Sequence, residues 1–202
     1  MKKLPLDFYD RDDVILIARE LLGKIVITQF SGILTSGRIM ETEAYIGISD
    51  RASHSYDGKR TTRNEHMYAG PGYSYVYICY GIHQMLNIVT NKKGIPDAVL
   101  IRALEPLSGI EQMLLRTGKN DGDKTLTRGP GNVGKAMGIS SSHSGLSFRS
   151  KELFIADDLF ILQEKEIGSS SRIGVESAGE AALYPYRFYI RGNRFVSGRP
   201  VK

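Results

Sequence analysis

Apolar and polar positions repeat along the chain with two different periods. Val14, Ile15, Leu16, Ile17, Ala18, Leu21 and Leu22 form a run of helical length that closes at Gly23, a residue that accepts the left-handed stop of a helix. Asp10 or Asp12 is placed to cap its start. From Ile25 the period falls to two. Ile25–Phe30 and Ile33–Tyr45 read as strands joined across Ser31-Gly32. Tyr73–Cys79 and about Gln84–Thr90 read as a hairpin with Tyr80-Gly81 near its tip, and Ala98–Leu104 as a further strand. Pro106 starts a helix through about Arg116, and a short helix follows Pro130. Leu153–Ile155, Leu159–Gln163 and Arg187–Ile190 read as short strands. Between these elements, residues 49–72 are polar and rich in Gly, Ser, Asn and basic groups, which suits a long ordered loop. Mixed strands with few helices and no βαβ alternation predict an α+β fold rather than a doubly wound sheet.

Composition narrows the picture. No repeat or low-complexity linker divides the 202 residues, so residues 1–202 read as one domain large enough for a full core. A lone cysteine, Cys79, excludes an intramolecular disulfide, and the four histidines show no zinc-site spacing, so no metal is expected. Lys2 and Lys3 begin as a secretory signal would, but Asp7, Asp10, Asp12 and Asp13 interrupt it. No run reaches the ~18 apolar residues of a membrane span. An intracellular protein without membrane attachment is the expectation. The net charge of +5 is small, yet residues 187–202 carry Arg187, Arg191, Arg194, Arg199 and Lys202 without an acid, which equals the whole excess.

Candidate chemistry lies on the strands. Period two puts Glu41, Glu43 and Tyr45 on one strand face. Both carboxylates are either solvated there or one is a general base for water, its pKa raised by partial burial. Tyr73, Tyr75 and Tyr77 alternate on the next strand, as core tyrosines would, whereas Tyr80 at a hairpin tip is poorly covered by its own fold and suits a wedge. With Tyr45 and His54 these offer flat rings to stack on nucleobases. Asn87 in an apolar run needs hydrogen-bond partners if buried. Arg102 is a lone strand charge, either paired with Glu41 or Glu43 or aimed at an anion. Gly129-Pro130-Gly131-Asn132-Val133-Gly134-Lys135 has the composition of a phosphate loop, but Ala136 breaks the Walker spacing. It is either a phosphate cradle or a plain turn.

As a set, METEAYIG (40–47), RASH (51–54), RNEHMYAGPG (63–72), YVYICYG (75–81), Asn87, VLIRALEP (99–106), RGPG (128–131), RIGVESAGE (172–180) and RFYIRG (187–192) resemble the alkyladenine DNA glycosylase family, the 3-methyladenine glycosylases of the human type. The resemblance runs in order over nearly the whole chain. It implies a single compact domain with a curved, mostly antiparallel sheet, peripheral helices and a protruding β-hairpin. The implied reaction is monofunctional hydrolysis, without lyase chemistry or cofactor, of the N-glycosidic bond of alkylated or deaminated purines: 3-methyladenine, 7-methylguanine, hypoxanthine and ethenoadenine. The implied partner is double-stranded DNA, bound by a monomer. Glu43 matches the base that activates water, and Arg102 and the carbonyl of Ile173 match positions that hold that water. Tyr45, His54 and Tyr77 match the pocket for the flipped base, and Asn87 the residue that excludes the guanine 2-amino group. Tyr80 matches the intercalating wedge, and Met67 a residue beside it. Arg63, Lys135, Arg191 and Arg194 are the candidates for DNA backbone contact. His83 departs from the family pattern, which has an aromatic residue there. A non-catalytic binder of damaged or bent DNA is the alternative function.

Overall fold

The computed structural model describes residues 1–198. All nine strands join one antiparallel sheet. They are β1 (Lys2–Lys3), β2 (Ile25–Phe30), β3 (Ile33–Tyr45), β4 (Ser74–Cys79), β5 (His83–Thr90), β6 (Asp97–Ser108), β7 (Leu153–Asp157), β8 (Ile167–Ser170) and β9 (Arg187–Ile190). Their order is β1-β7-β2-β3-β6-β5-β4, with β9 against β3 and β8 against β9. Four short helices flank it: α1 (Leu6–Tyr9), α2 (Val14–Glu20), α3 (Ile110–Thr117) and α4 (Pro130–Ala136). The expected α+β class and mostly antiparallel sheet are both present.

The thirteen residues of β3 organise the molecule. Its first half pairs with β2, and Glu41–Glu43 then pair with β9 on that side while β6 runs along the other. Period two sends Thr42 and Ala44 to the core, where α2 and the turn that ends it pack Ile17, Ala18, Leu21 and Leu22 against Ile39, Val99 and Ile101. The Thr42 hydroxyl donates to the Ala18 carbonyl at 2.8 Å, which ties α2 to the strand. The odd-numbered side chains, Glu41, Glu43 and Tyr45, therefore stand on the other face of the sheet.

Three local expectations are corrected. The cap of α2 is Asp13, whose carboxylate accepts the Leu16 N–H at 2.8 Å, rather than Asp10 or Asp12. Pro106 does not start a helix. It lies in β6 opposite Gly37, beside a register shift where the ladder tolerates a missing N–H. The helix begins after Gly109, whose φ of +73° turns the chain; a Cβ there would lie 2.3 Å from the Leu34 carbonyl oxygen. Leu159–Gln163 is not a strand, because β1 and β2 already occupy both edges of β7. Asp157 and Asp158 instead accept the N–H groups of Leu159 and Phe160, and Leu159 turns at φ +64°. The strand β8 comes from residues to which the sequence pattern assigned no element.

Candidate active site

One row of residues crosses four strands: Glu43 faces Leu100, Leu100 faces Asn87, and Asn87 faces Tyr75. Partners directly opposite in a ladder share a face. The row therefore forms a floor, extended by Tyr45 opposite Ala98 and by Tyr77 opposite Met85. Above it lies a cavity of about 410 Å³, lined among others by Tyr45, His54, Tyr77, Asn87, Arg102 and Ile173. This falls in the usual range for small-molecule sites. Its rings come from three elements that share no local sequence.

Glu43 is fully buried beneath the lining. One oxygen accepts the Ile173 N–H at 2.8 Å; the other accepts the Tyr45 hydroxyl at 2.8 Å and Nη1 of Arg102 at 3.2 Å. A carboxylate has about four acceptor sites, so one is left over. Burial raises its pKa more than Arg102, the Ile173 N–H and Tyr45 lower it, and Glu41 adds a further upward push. Arg102 is resolved in favour of acids rather than an anion from solution. Its Nε donates to Glu41 at 2.8 Å and its Nη2 to Ser197 Oγ at 3.2 Å. The β3–β6 ladder is irregular on either side of Glu41, leaving Met40 and Arg102 unpaired across the strands, a device that re-aims side chains near sites.

His54 sits in the 49–72 loop, edge-on to Tyr77 with ring centroids 4.5 Å apart, and its Nδ1 shares a hydrogen bond of 2.8 Å with the Tyr75 hydroxyl. Lost hydration among these rings, aided by Arg63 and Lys59, lowers its pKa to about 4, so it is neutral near pH 7. Burial pushes the Tyr77 hydroxyl up to about 12. The loop is ordered by buried Asn64, whose amide donates to the carbonyls of His54 and Lys59 at 3.0 and 2.8 Å. Asn87 spends its amide hydrogens on the Tyr75 and Met85 carbonyls, both at 3.1 Å.

The hairpin of β4 and β5 carries Tyr80 at its tip, 88% exposed, with Tyr80 and Gly81 both at positive φ. Met67 is not at the tip. It is buried with Tyr68 and Tyr75 and lines the cavity from inside. The glycine-rich segment is resolved as packing, since a Cβ on Gly134 would lie 2.0 Å from the Gln84 carbonyl oxygen and one on Gly131 would lie 2.5 Å from His83. These glycines let α4 press against the start of β5, just below the hairpin tip. Lys135, at the end of α4, donates to the Thr117 carbonyl at 3.2 Å and so caps α3.

The basic tail divides. Arg187 is 2% exposed and donates through Nε to Glu41 at 2.7 Å, so it belongs to the floor rather than to a surface. Arg191 and Arg194 are exposed on the turn after β9. Arg199 and Lys202 lie outside the described residues. Of the four candidates for backbone contact, Arg63 lines the cavity, with a guanidinium 5.6 Å from the Tyr77 ring.

Two supports escaped the sequence. Arg172 is paired with Asp50, donates to the carbonyls of Ala44 and Ala181 at 2.9 Å, and lies 4.7 Å from the Tyr45 ring centre. It thereby fixes both Tyr45 and its own neighbour Ile173, the two neutral donors to Glu43. Asp50 and Asn64 stand in a polar loop where nothing local marks them as buried; only the partners they reach do so.

A family model described as methylpurine-DNA glycosylase (MPG) matches residues 7–194. Relatives in Clostridium perfringens strain 13 and Desulfitobacterium hafniense are each 44% identical over 203 and 204 residues, covering 96% and 98% of this chain and 98% and 99% of theirs. One in Bdellovibrio bacteriovorus is 42% identical over 196 residues, covering 96% of this chain and 98% of its own. All three are provisionally named 3-methyladenine DNA glycosylase. Among the described residues no helix is long and apolar enough to cross a membrane.

Proposed function

The chain belongs to the methylpurine-DNA glycosylase family, and from that premise we propose that it releases alkylated and deaminated purines from duplex DNA by a water that Glu43 activates. It is a 3-methyladenine DNA glycosylase, a hydrolase of N-glycosyl bonds in DNA repair. The substrates in view are 3-methyladenine, 7-methylguanine, hypoxanthine and ethenoadenine. The observation that carries the mechanism is a ring-lined cavity with a buried carboxylate held under its floor by three donors that leave one acceptor site open.

A base must leave the stack to reach such a cavity, at a cost of a few kcal/mol that is smallest for damaged or mispaired bases. Tyr80 fills the gap it leaves. Tyr45, Tyr77 and His54 hold the purine, with cation–π attraction for the positively charged alkylpurines. As the bond from C1′ to the purine nitrogen stretches, positive charge builds on the sugar. Glu43 stabilises that charge and takes a proton from the water whose oxygen attacks C1′, and the purine departs with the bonding electrons. Its raised pKa makes it a better base than an exposed carboxylate.

The test is single-turnover release of hypoxanthine from a duplex by Glu43→Gln. Binding is retained and release falls about 10²–10⁴-fold, the usual worth of general-base catalysis. Release at the wild-type rate removes Glu43 from the role, and a wild-type protein that binds without ever releasing base returns the chain to a damage binder.

A further inference from the structure

The reaction proposed above needs one buried carboxylate, but the floor holds two. Glu41 is fully buried and accepts four hydrogen bonds: Nε of Arg102 at 2.8 Å, Nε of Arg187 at 2.7 Å, the Ser197 hydroxyl at 2.8 Å and the Ser197 N–H at 2.6 Å. Three of the four, two of them from arginines, crowd onto Oε1, so its geometry is that of a clamp on Arg102 and Arg187 rather than of a second base. Its geometry explains how Arg102 is oriented. Glu41 takes the Nε edge at 2.8 Å, Ser197 takes Nη2, and only Nη1 reaches Glu43, at 3.2 Å.

We propose that Glu41 is a positioning residue that draws Arg102 away from Glu43, so that Glu43 keeps a free acceptor site and its basicity while the arginine stays at the cavity wall. This rests on the reading of Glu43 as the base. A buried guanidinium demands a carboxylate, and the preferred arrangement of a single pair is a fork with two parallel bonds. If Glu43 were the only acid present, Arg102 would close on it in that way, cover its remaining lone pair and hold it ionised and weakly basic. Glu41 forestalls this by taking the Nε edge in the shorter bond, 2.8 Å against 3.2 Å to Glu43. Arg187 then supplies the charge that balances the second acid, with its other nitrogens on Ser170 Oγ at 2.8 Å and the Ser197 carbonyl at 2.5 Å. Two acids and two arginines thus form a neutral quartet in which the ion pairing is unevenly shared.

The groups facing Glu43 from its surroundings are Glu41 and Tyr45 on β3, Arg102 on β6, Arg187 on β9, Tyr77 on β4 and Arg172 next to Ile173. Of these Glu41 is the only other acid. Burial is the main cause of the high Glu43 pKa, and the negative charge of Glu41 adds to it.

The experiment is the pH dependence of single-turnover hypoxanthine release by Glu41→Gln. The acid limb moves down by about one unit, as loss of a neighbouring like charge requires, and the plateau rate falls about 10-fold as the base weakens. A role in packing alone lowers the active fraction without moving the limb, so an unmoved or raised limb overturns the proposal. If Glu41→Gln does not fold, Ser197→Ala decides by the same criterion, since it frees Nη2 of Arg102 to turn toward Glu43; its limb moves down by less. Glu43→Gln in parallel separates the two readings: release at the wild-type rate there defeats the base assignment itself, whatever Glu41 does.

Discussion

The hairpin tip and the site floor are built by opposite rules. At the tip Ile78, Tyr80 and Ile82 are 42%, 88% and 72% exposed, so large apolar groups stand in water. At the floor Glu41, Glu43, Arg102 and Arg187 are all at most 5% exposed, so charges stand out of it. Each reverses the ordinary distribution of residue types. The tip holds its rings without neighbours, and Tyr80 adds a left-handed backbone that costs about 1 kcal/mol. Its apolar surface is satisfied only by another molecule. The charges of the floor are paired within the chain, by acids and arginines drawn from β3, β6 and β9. The tip should therefore matter to binding and little to folding. The floor should matter to both.

The sharpest way to break this contrast is Arg187→Met. It leaves Glu41 with one arginine instead of two in a buried site, and loss of one partner of a buried pair costs about 3–5 kcal/mol. Urea unfolding should show that loss, and an unchanged midpoint would mean that the floor is not held by its charges. Tyr80→Ala is the converse. Stability stays within about 0.5 kcal/mol, while capture of a flipped ethenoadenine, read by its fluorescence, weakens by about 1–3 kcal/mol, the worth of one stacked ring. A destabilised Tyr80→Ala, or one that flips the base normally, would merge the two regions into one.

The floor itself contains a second contrast, between charges that hold the fold and a charge that burdens it. Glu43 has its folded pKa raised above the unfolded value near 4.5. A carboxyl shifted upward favours folding most in its protonated state. Its contribution is fully present below the unfolded pKa and is lost as pH rises through the folded one. Glu43→Gln, a mimic of the protonated acid, should therefore match the wild type in acid and be the more stable of the two above the raised pKa. If the variant is less stable at every pH, the ionised Glu43 is a net support. The price of a strong base would then have been met elsewhere.

How much of this was legible in the sequence follows from the reach of each interaction. Period two alone placed Glu41, Glu43 and Tyr45 on one face, and the apolar run of α2 marked the core it covers, because both signals lie within a few residues. The tip was legible for the same reason, as an aromatic beside a glycine between two strands. Arg187 stood out only as part of a basic segment, because its partner, Glu41, is 146 residues away and nothing near it announces burial. The row from Glu43 to Tyr75 depends on registers across four strands, which no single strand encodes. Gly131 and Gly134 have a phosphate loop's composition for a different physical reason, the close approach of α4 to β5. Arg172 lay inside a recognised motif, yet its role required Asp50 and Tyr45, both more than a hundred positions earlier.

The smallest effect concerns what remains of the basic tail. Arg187 now counts with the floor, which leaves Arg191 and Arg194 as its exposed charges among the described residues. They make only light contacts with their own fold, Arg191 Nε with the Ile167 carbonyl at 3.2 Å and Arg194 with the Phe195 ring. Such side chains suit phosphates, and each phosphate neutralised steepens the logarithmic salt dependence of binding by about 0.9. Neutralising both with Arg191→Gln and Arg194→Gln should flatten that slope by up to about 1.8, weaken damaged and undamaged duplexes alike, and leave hypoxanthine release at saturating protein unchanged. A slope that does not move would place the DNA path elsewhere, along Arg63 and the hairpin. The two arginines would then be ordinary solvated charge, four and seven residues beyond one that the fold cannot spare.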